Sequence, residues 1–476
     1  GKPQAYFGFR FSPRHSPGKS PLDTPGNVNV PVSPARLAAF RILLRVQRED
    51  SYASELLHSN LTDSLQENDL RLATELVFGT LRQQRLLDHL LASCSGKALT
   101  KLDVEVLATL RLGAYQILFL QRVPEHAAVY ESVELVKSVR LKSAAGFVNA
   151  VLRKVADRDL EKTRKAFDEP TAPALSIRYS HPEWLVGRWL TRFGQEKSIQ
   201  LLEHNNRTPT VYFRIDSPDL TYKALTSALA GQSVRFMTHA LSDGILKLTE
   251  GNLHQTDLFR DRRIAVQDAA SQLIPHLLDL KPGDVCLDVC AGVGGKTSQI
   301  ARLKGTPSPL VALDLHWHRL QVAHRLHSHH WKNLRWVACD ATLPLPFVRR
   351  FDKILVDAPC SGTGTLQRHP EIRWRLRPEQ ILEFPLLQQA LLERAFQHLQ
   401  EGGTLVYSTC SLEPEENEAV VHSFLKDHPD ASLVVPESPL TQGLISPARF
   451  LRLFPPEAET DGLFAAVIRK RDSSKS

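Results

Sequence analysis

Between residues 285 and 408 the chain repeats one pattern: a short apolar run, a turn, then a segment long enough for a helix. The runs are Val285-Cys-Leu-Asp-Val289, Leu310-Val-Ala-Leu-Asp314, Leu334-Arg-Trp-Val-Ala338, Phe351-Asp-Lys-Ile-Leu-Val-Asp357 and Gly403-Thr-Leu-Val-Tyr-Ser408. Short apolar runs that do not alternate with polar residues suit strands covered on both faces. Their alternation with helical segments predicts an α/β domain over residues 263–472, a doubly wound and mostly parallel sheet. Ligands of such sheets sit at the carboxyl ends of the strands, and the chemically unusual residues of this chain fall at those ends.

A chain of 476 residues exceeds one hydrophobic core, so further domains are expected upstream. Residues 1–33 carry Pro3, Pro13, Pro17, Pro21, Pro25 and Pro31 among Gly, Ser and basic residues and read as a disordered basic tail. Ser33 and Pro34 then make a helix start ahead of Leu37, Phe40 and Leu44 on one face. Apolar helical stretches continue through Leu72 to Leu91, Leu102 to Leu120 and Val129 to Val139, so residues 34–156 are expected to be all helical. Four segments in order, Glu75-Leu-Val-Phe-Gly-Thr-Leu-Arg82, Leu110-Arg-Leu-Gly-Ala-Tyr115, Val123-Pro-Glu-His-Ala-Ala128 and Gly146-Phe-Val-Asn-Ala-Val-Leu-Arg153, resemble the NusB-type RNA-binding domain. That resemblance implies RNA binding, with Arg82, Arg85, Arg111 and Arg153 as phosphate contacts by analogy or, equally, as a solvated face. Residues 157–262, with Trp184, Trp189 and Phe193 on a helix and Val211-Tyr-Phe-Arg-Ile215 as a strand, are expected to form a small α/β connecting subdomain.

Hydrophobic residues make up 42% of the chain and charged residues 23%, and no apolar stretch is long enough to span a membrane, which excludes an integral helical membrane protein. A net charge of +7 suits a polyanionic partner without proving one. Six scattered cysteines cannot make a disulfide framework in a chain this long, so a reducing compartment, the cytoplasm, is expected. The chain opens on Gly1 rather than Met, as a trimmed or engineered start would, and shows no secretory signal pattern.

The first strand runs into Cys290-Ala-Gly-Val-Gly-Gly-Lys-Thr297, whose glycines let the backbone approach a ligand closely. The spacing is neither the dinucleotide fingerprint nor a phosphate loop. Asp314 ends the second strand, where a carboxylate accepts hydrogen bonds from a ribose diol. Asp340 follows the third, at a place suited to an adenine amino group, and Asp357 ends the fourth. Acids at three successive strand ends beside a Gly-rich turn point to a nucleoside pocket, although each alone would serve as a helix cap.

Two segments are more specific: Asp357-Ala-Pro-Cys-Ser-Gly-Thr-Gly364 and Tyr407-Ser-Thr-Cys-Ser411. They resemble motifs IV and VI of the RNA cytosine-C5 methyltransferases of the Nol1/Nop2/Sun family. Gln267-Asp-Ala-Ala-Ser271, His369-Pro370 with Trp374, Glu416-Asn417 and Asp461-Gly462 also find counterparts there. With the NusB-like head, the architecture resembles the Sun branch of that family. The resemblance implies S-adenosylmethionine as cofactor, held by Cys290, Ala291, Gly292, Val293, Gly294, Gly295, Lys296, Asp314, Asp340 and Asp357. It implies 16S rRNA or a partly assembled small subunit as partner, with cytosine 967 as the family target. A monomer without metal is expected. Two departures are visible: Gly292 and Val293 stand where the family has Ala and Pro, and Leu463 where it has Phe.

The chemistry explains why two thiols are needed. Carbon 5 of cytosine is a weak nucleophile until a thiolate adds at carbon 6, and a free thiol is only a few per cent ionised at neutral pH. The resemblance assigns attack to Cys410 and product release to Cys360, and puts Asp357 against cytosine N3, donating a hydrogen bond in its protonated form. The target base must be splayed out of its stack, which suits an auxiliary RNA-gripping domain. Cys94, Cys286 and Cys339 read as buried small residues. The histidines at 316, 318, 324, 327, 329 and 330 read as solvated positions on a surface helix rather than a metal site, and Glu413, Glu415 and Glu416 as acids at a helix start. Competing readings are a non-catalytic assembly factor, a methyltransferase of another RNA such as tRNA, and a dinucleotide-dependent oxidoreductase. Retention of both cysteines opposes the first, and the turn spacing opposes the last.

Overall fold

The computed structural model describes residues 32–49, 51–305 and 308–472, so the expected tail lies almost entirely outside the described residues. The head begins with helix Pro34–Glu49 and runs through helices Glu67–Arg82, Gln84–Ser95, Val104–Phe119, Glu125–Ser138 and Ala145–Ala156. The apolar run Leu72 to Leu91 is broken at Gln83, which leaves helical geometry with ψ 8°. Phe40, Leu44, Leu76, Leu110, Val136 and Leu152 share one core, all fully buried. The NusB-like segments meet inside it, as the Tyr115 hydroxyl donates to Glu75 at 2.5 Å.

The connecting region consists of two parts. Helices Ala172–Arg178 and Glu183–Asn206 pack Leu185, Trp189 and Leu202 against Leu366 and Leu412 of the catalytic domain. A separate four-stranded sheet follows, with β1 (Tyr212–Ile215), β2 (Arg235–His239), β3 (Ser242–Glu250) and β4 (Ile264–Val266) in the order β2-β3-β1-β4. Because β4 pairs with β1, the division expected at residue 262 falls inside this sheet.

The large sheet contains β5 (Cys286–Asp288), β6 (Leu310–Asp314), β7 (Leu334–Ala338), β8 (Phe351–Asp357), β9 (Leu399–Thr409), β10 (Ala431–Val434), β11 (Phe450–Leu453) and β12 (Leu463–Lys470). Its order is β10-β12-β9-β8-β5-β6-β7, with β11 paired to β12. Strands β5 to β9 pair in parallel, whereas β10, β11 and β12 pair antiparallel. The order reverses at β5, which puts the Gly-rich turn at the switch point where ligands of such sheets bind. Apolar side chains cover both faces, Ile354 and Phe396 on one and Ile300 and Leu355 on the other, all buried. No helix among the described residues is long and apolar enough to cross a membrane.

Candidate active site

Strands β8 and β9 run side by side with Asp357 opposite Ser408, so the loops leaving them carry their cysteines to one place. Cys360 and Cys410 lie with Sγ atoms 3.0 Å apart. The hydrogen bond to Cys410, and then burial, push the Cys360 thiol well above its ordinary value. Burial and the thiol–thiol contact thus favour the neutral form of Cys360.

Asp357 accepts hydrogen bonds on both oxygens, from Lys296 Nζ at 2.7 Å and from Ser408 Oγ at 2.7 Å. Burial disfavours the Lys296 cation, but Asp357 outweighs it and holds the ammonium above its ordinary value. The charge of Cys410 acts in the same direction, so the lysine stays protonated. This arrangement suits Asp357 as an acceptor, whereas the expected contact with cytosine N3 used it as a donor. A proton for that contact has a source in Lys296.

The loops are fixed from behind by Glu416. Its carboxylate accepts from Ser361 N at 2.8 Å, Ser411 Oγ at 2.6 Å and Gln388 Nε2 at 3.1 Å, joining both cysteine loops through one buried group. Glu413 is fully buried, pairs with Arg188 and accepts from Trp189 Nε1 at 3.2 Å. The helix starts only at Glu418, so these acids join loops instead of serving as helix-start charges. Gly364 has no room for a side chain: a Cβ there would lie 2.7 Å from the carbonyl oxygens of Cys410 and Gly462.

A cavity of ≈ 280 Å³ opens beside this cluster, lined by Asp288, Cys290, Ala291, Val293, Gly295, Lys296 and Asp357 with Val266, Gln267 and Ser271. Gly294 caps the following helix at φ 83°, where a Cβ would strike Trp336 and His327. Asp314 closes the turn by accepting from Gly292 N at 2.9 Å and from His316 N at 2.7 Å, and its oxygens keep lone pairs for a diol. Asp340 is exposed, accepts from Thr342, and is not among the cavity's lining residues. Burial raises Cys290 well above the ordinary thiol value and Cys286 to about 12, while Cys339 is half-buried rather than buried.

Several residues have different surroundings from those expected. Asp288 lies within an apolar strand run and passes unremarked in the sequence. It is 1% exposed, its Oδ2 accepts from Thr297 at 2.6 Å, and its Oδ1 is buried without a partner among the described residues. Burial raises it to about 7. His327 is not solvated: it is buried, with Nε2 3.1 Å from Val293 O and its ring stacked on Trp336. Arg214, from β1, donates to Gln267 Oε1, Gly295 O and Ser298 Oγ, so the small sheet braces the turn. Arg82 is 6% exposed and donates to Gln367 O at 3.1 Å across the domain boundary. Arg111 makes a two-pronged pair with Asp88, and Arg85 pairs with Glu183 at 3.2 Å. These three arginines hold protein together, and Arg153 alone of the four is exposed. No group of three or more His, Cys, Asp or Glu among the described residues is arranged to hold a metal.

Comparison with known proteins agrees with this architecture. Residues 33–157 match the NusB family, 181–253 the ferredoxin-like domain of RsmF/B-like methyltransferases, and 275–469 the family described as 16S rRNA methyltransferase RsmB/F. The probable ribosomal RNA small subunit methyltransferase B of Bacillus subtilis (strain 168) is 31% identical over 446 residues, covering 91% of this chain and 98% of that protein. The chain belongs to the RsmB/F family of 16S rRNA methyltransferases. Its counterpart in Synechocystis is 35% identical, covering 92% of this chain and 99% of that one. The crystal structure of PH0851 superposes with a TM-score of 0.78 at 25% identity, covering 92% of this chain and 99% of that chain. Family membership makes the chain an S-adenosylmethionine-dependent methyltransferase with an RNA substrate.

Proposed function

We propose that the chain methylates carbon 5 of a cytosine in 16S rRNA, cytosine 967 by the family expectation, through a covalent adduct on Cys410. The observation that carries this reading is the pair of thiols 3.0 Å apart beside the Lys296–Asp357 contact at the rim of the cavity.

S-adenosylmethionine supplies a methyl group on a sulfonium. The residues at hand fit its parts: the unpartnered Asp288 Oδ1 suits an ammonium, Asp314 a ribose diol, and the turn at 290–296 a close backbone approach. In the proposed sequence Cys410 sulfur bonds to cytosine carbon 6, and the ring electrons shift toward carbon 5 and N3. Asp357 meets N3, and Lys296 passes it the proton that neutralises charge growing there. Carbon 5 would take the methyl group, leaving the donor as its thioether S-adenosylhomocysteine. The carbon 5 proton then passes to water, N3 returns its proton to Lys296, and the ring expels the Cys410 sulfur as a thiolate while its double bond reforms. Cys360 assists that release, its sulfur lying 3.0 Å from that of Cys410.

The decisive experiment is bisulfite mapping of 16S rRNA from cells with and without the gene, repeated with Cys410→Ala. The reading predicts one cytosine protected only when the intact protein is present. An unchanged bisulfite pattern between the two strains would overturn it.

A further inference from the structure

Two segments singled out in the sequence, Gln267-Asp-Ala-Ala-Ser271 and Asp461-Gly462, lie outside the thiol chemistry. One guanidinium joins them. Arg368 Nε donates to Asp461 Oδ1 at 3.2 Å and Oδ2 at 3.1 Å, while its Nη2 donates to Asp268 Oδ2 at 2.7 Å and to Thr210 O at 2.9 Å. The two acidic residues also meet directly, the Asp461 amide donating to Asp268 Oδ1 at 3.3 Å. The Asp268, Asp461 and Arg368 side chains are 6%, 11% and 21% exposed, and so are screened little by solvent.

Each end of this cluster leads to a different half of the active site. On one side Gln267 and Ser271, which flank Asp268 in the chain, line the cavity together with Lys296 and Asp357. On the other, Gly462 N donates to Gly364 O at 2.7 Å, and Gly364 N donates to Cys410 O at 2.9 Å. A Cβ on Gly462 would lie 2.8 Å from Gly364 Cα, so these loops touch backbone to backbone. Arg368 itself follows the Cys360 loop, its amide closing a turn on Thr365 O at 3.0 Å.

The cluster thus bridges the wall of the cofactor cavity and the loops that carry both thiols. A buried charged cluster adds little stability over well-packed apolar side chains of similar volume. What a guanidinium adds is direction, because its planar fork fixes the angle as well as the distance of each acceptor, and the joined segments cannot slide without breaking it. Direction matters to this reaction. A cytosine bonded through carbon 6 to Cys410 is carried by the thiol loops, whereas the methyl donor is carried by the cavity wall. Their alignment is a property of neither part alone.

We propose that Arg368 is a positioning residue for methyl transfer, locking the thiol loops against the cofactor wall through Asp268 and Asp461. This rests on the reading of Cys410 as the residue that holds the target ring. The role requires no contact between Arg368 and either RNA or cofactor.

The test uses the full chain with Arg368→Lys and Asp268→Asn. Lysine keeps the positive charge but, as a single point, cannot span both acids at fixed angles. Asparagine keeps a side-chain oxygen to cap helix Ala269–Leu273, as Asp268 does through Ala270 N at 2.9 Å, and removes the charge that Arg368 meets. Methyl transfer is read with tritiated S-adenosylmethionine and unmethylated 16S rRNA, S-adenosylhomocysteine affinity by calorimetry, and folding by thermal melting. Anchoring of the loops is read by amide hydrogen exchange without RNA or cofactor. A misplacement of about 1 Å costs up to about a hundredfold in rate, so both variants are expected to lose at least about tenfold in kcat at nearly unchanged KM. S-adenosylhomocysteine affinity and melting stay at parent values. The amides of Gly364 and Gly462 exchange faster, while those of β5 and β6 keep their protection. Parent-like kcat overturns the proposal, as do unchanged exchange at both glycines and a loss of kcat matched by weaker S-adenosylhomocysteine binding or lower melting. Tritium counts methyl groups on any base, so a product other than 5-methylcytosine, or full turnover by Cys410→Ala, would count against the proposed function, while hydrogen exchange still decides whether Arg368 locks the loops.

Discussion

Replacing Asp288 by Asn tests the cofactor side of the site through pH. Burial holds this carboxyl near 7, against about 3.9 for an unperturbed aspartate, so the folded protein retains a proton that the unfolded chain has lost. Stability therefore falls as pH rises from about 4 to about 7, and the full cost is present above that range. The gap corresponds to on the order of 4 kcal/mol at 1.36 kcal/mol per pH unit. The neutral Asn carries no such cost. Chemical denaturation without cofactor should find Asp288→Asn more stable than the parent at pH 8, by up to about that amount, and indistinguishable near pH 4. Cofactor binding should show the converse. If Asp288 receives an ammonium, binding favours the ionised carboxylate, so S-adenosylhomocysteine binds the parent more tightly at pH 8 than at pH 6. The variant should bind weakly, with little change between those pH values. Equal denaturation midpoints at pH 8, together with equal affinities for parent and variant, would refute the reasoning.

Three further outcomes follow from the loops around the cysteines. Glu416→Ala leaves Ser361 N, Ser411 Oγ and Gln388 Nε2 without their shared acceptor, at about 1–3 kcal/mol for each buried group left unpaired, and melting should fall while cofactor affinity holds. Gly364→Ala drives a methyl group into the backbone of Cys410 and Gly462, so kcat should drop at least tenfold; parent-like turnover would show that the loops can spread at little cost. Diamide should take two hydrogens from Cys360 and Cys410, closing a disulfide that inactivates the enzyme and opens again with dithiothreitol; Cys360→Ala should form no such bond, which peptide mass spectrometry reads directly.

The sheet was legible because its parallel strands are short unbroken apolar runs, and the turn and cysteine loops because close backbone approach and thiol chemistry admit few residue types. Less visible was what depends on distant partners. Nothing near Arg82 announces the carbonyl of Gln367, 285 positions away, so a buried brace and a surface phosphate contact look alike in sequence. His327 sits in a histidine-rich helix whose His318 and His324 are exposed, and its own burial is set by Val293 and Trp336 from two other segments. Asp288 did carry a signal, a charged residue inside the apolar run of a central strand, which only an environment of its own would tolerate. Strand β4 was missed as part of the small sheet because three residues show no period, and its pairing with β1 decides its place.

The central claim is that Cys410 becomes covalently bound to the target cytosine and that Cys360 lets it go. The direct measurement is to incubate Cys360→Ala with unmethylated 16S rRNA and S-adenosylmethionine, separate the mixture on a denaturing gel, and map any cross-linked peptide by mass spectrometry. The account predicts a slow-migrating protein–RNA band whose attachment lies on Cys410 and which disappears in the double variant Cys360→Ala, Cys410→Ala. Normal turnover by Cys360→Ala with no retained band, or attachment at any other residue, would contradict it.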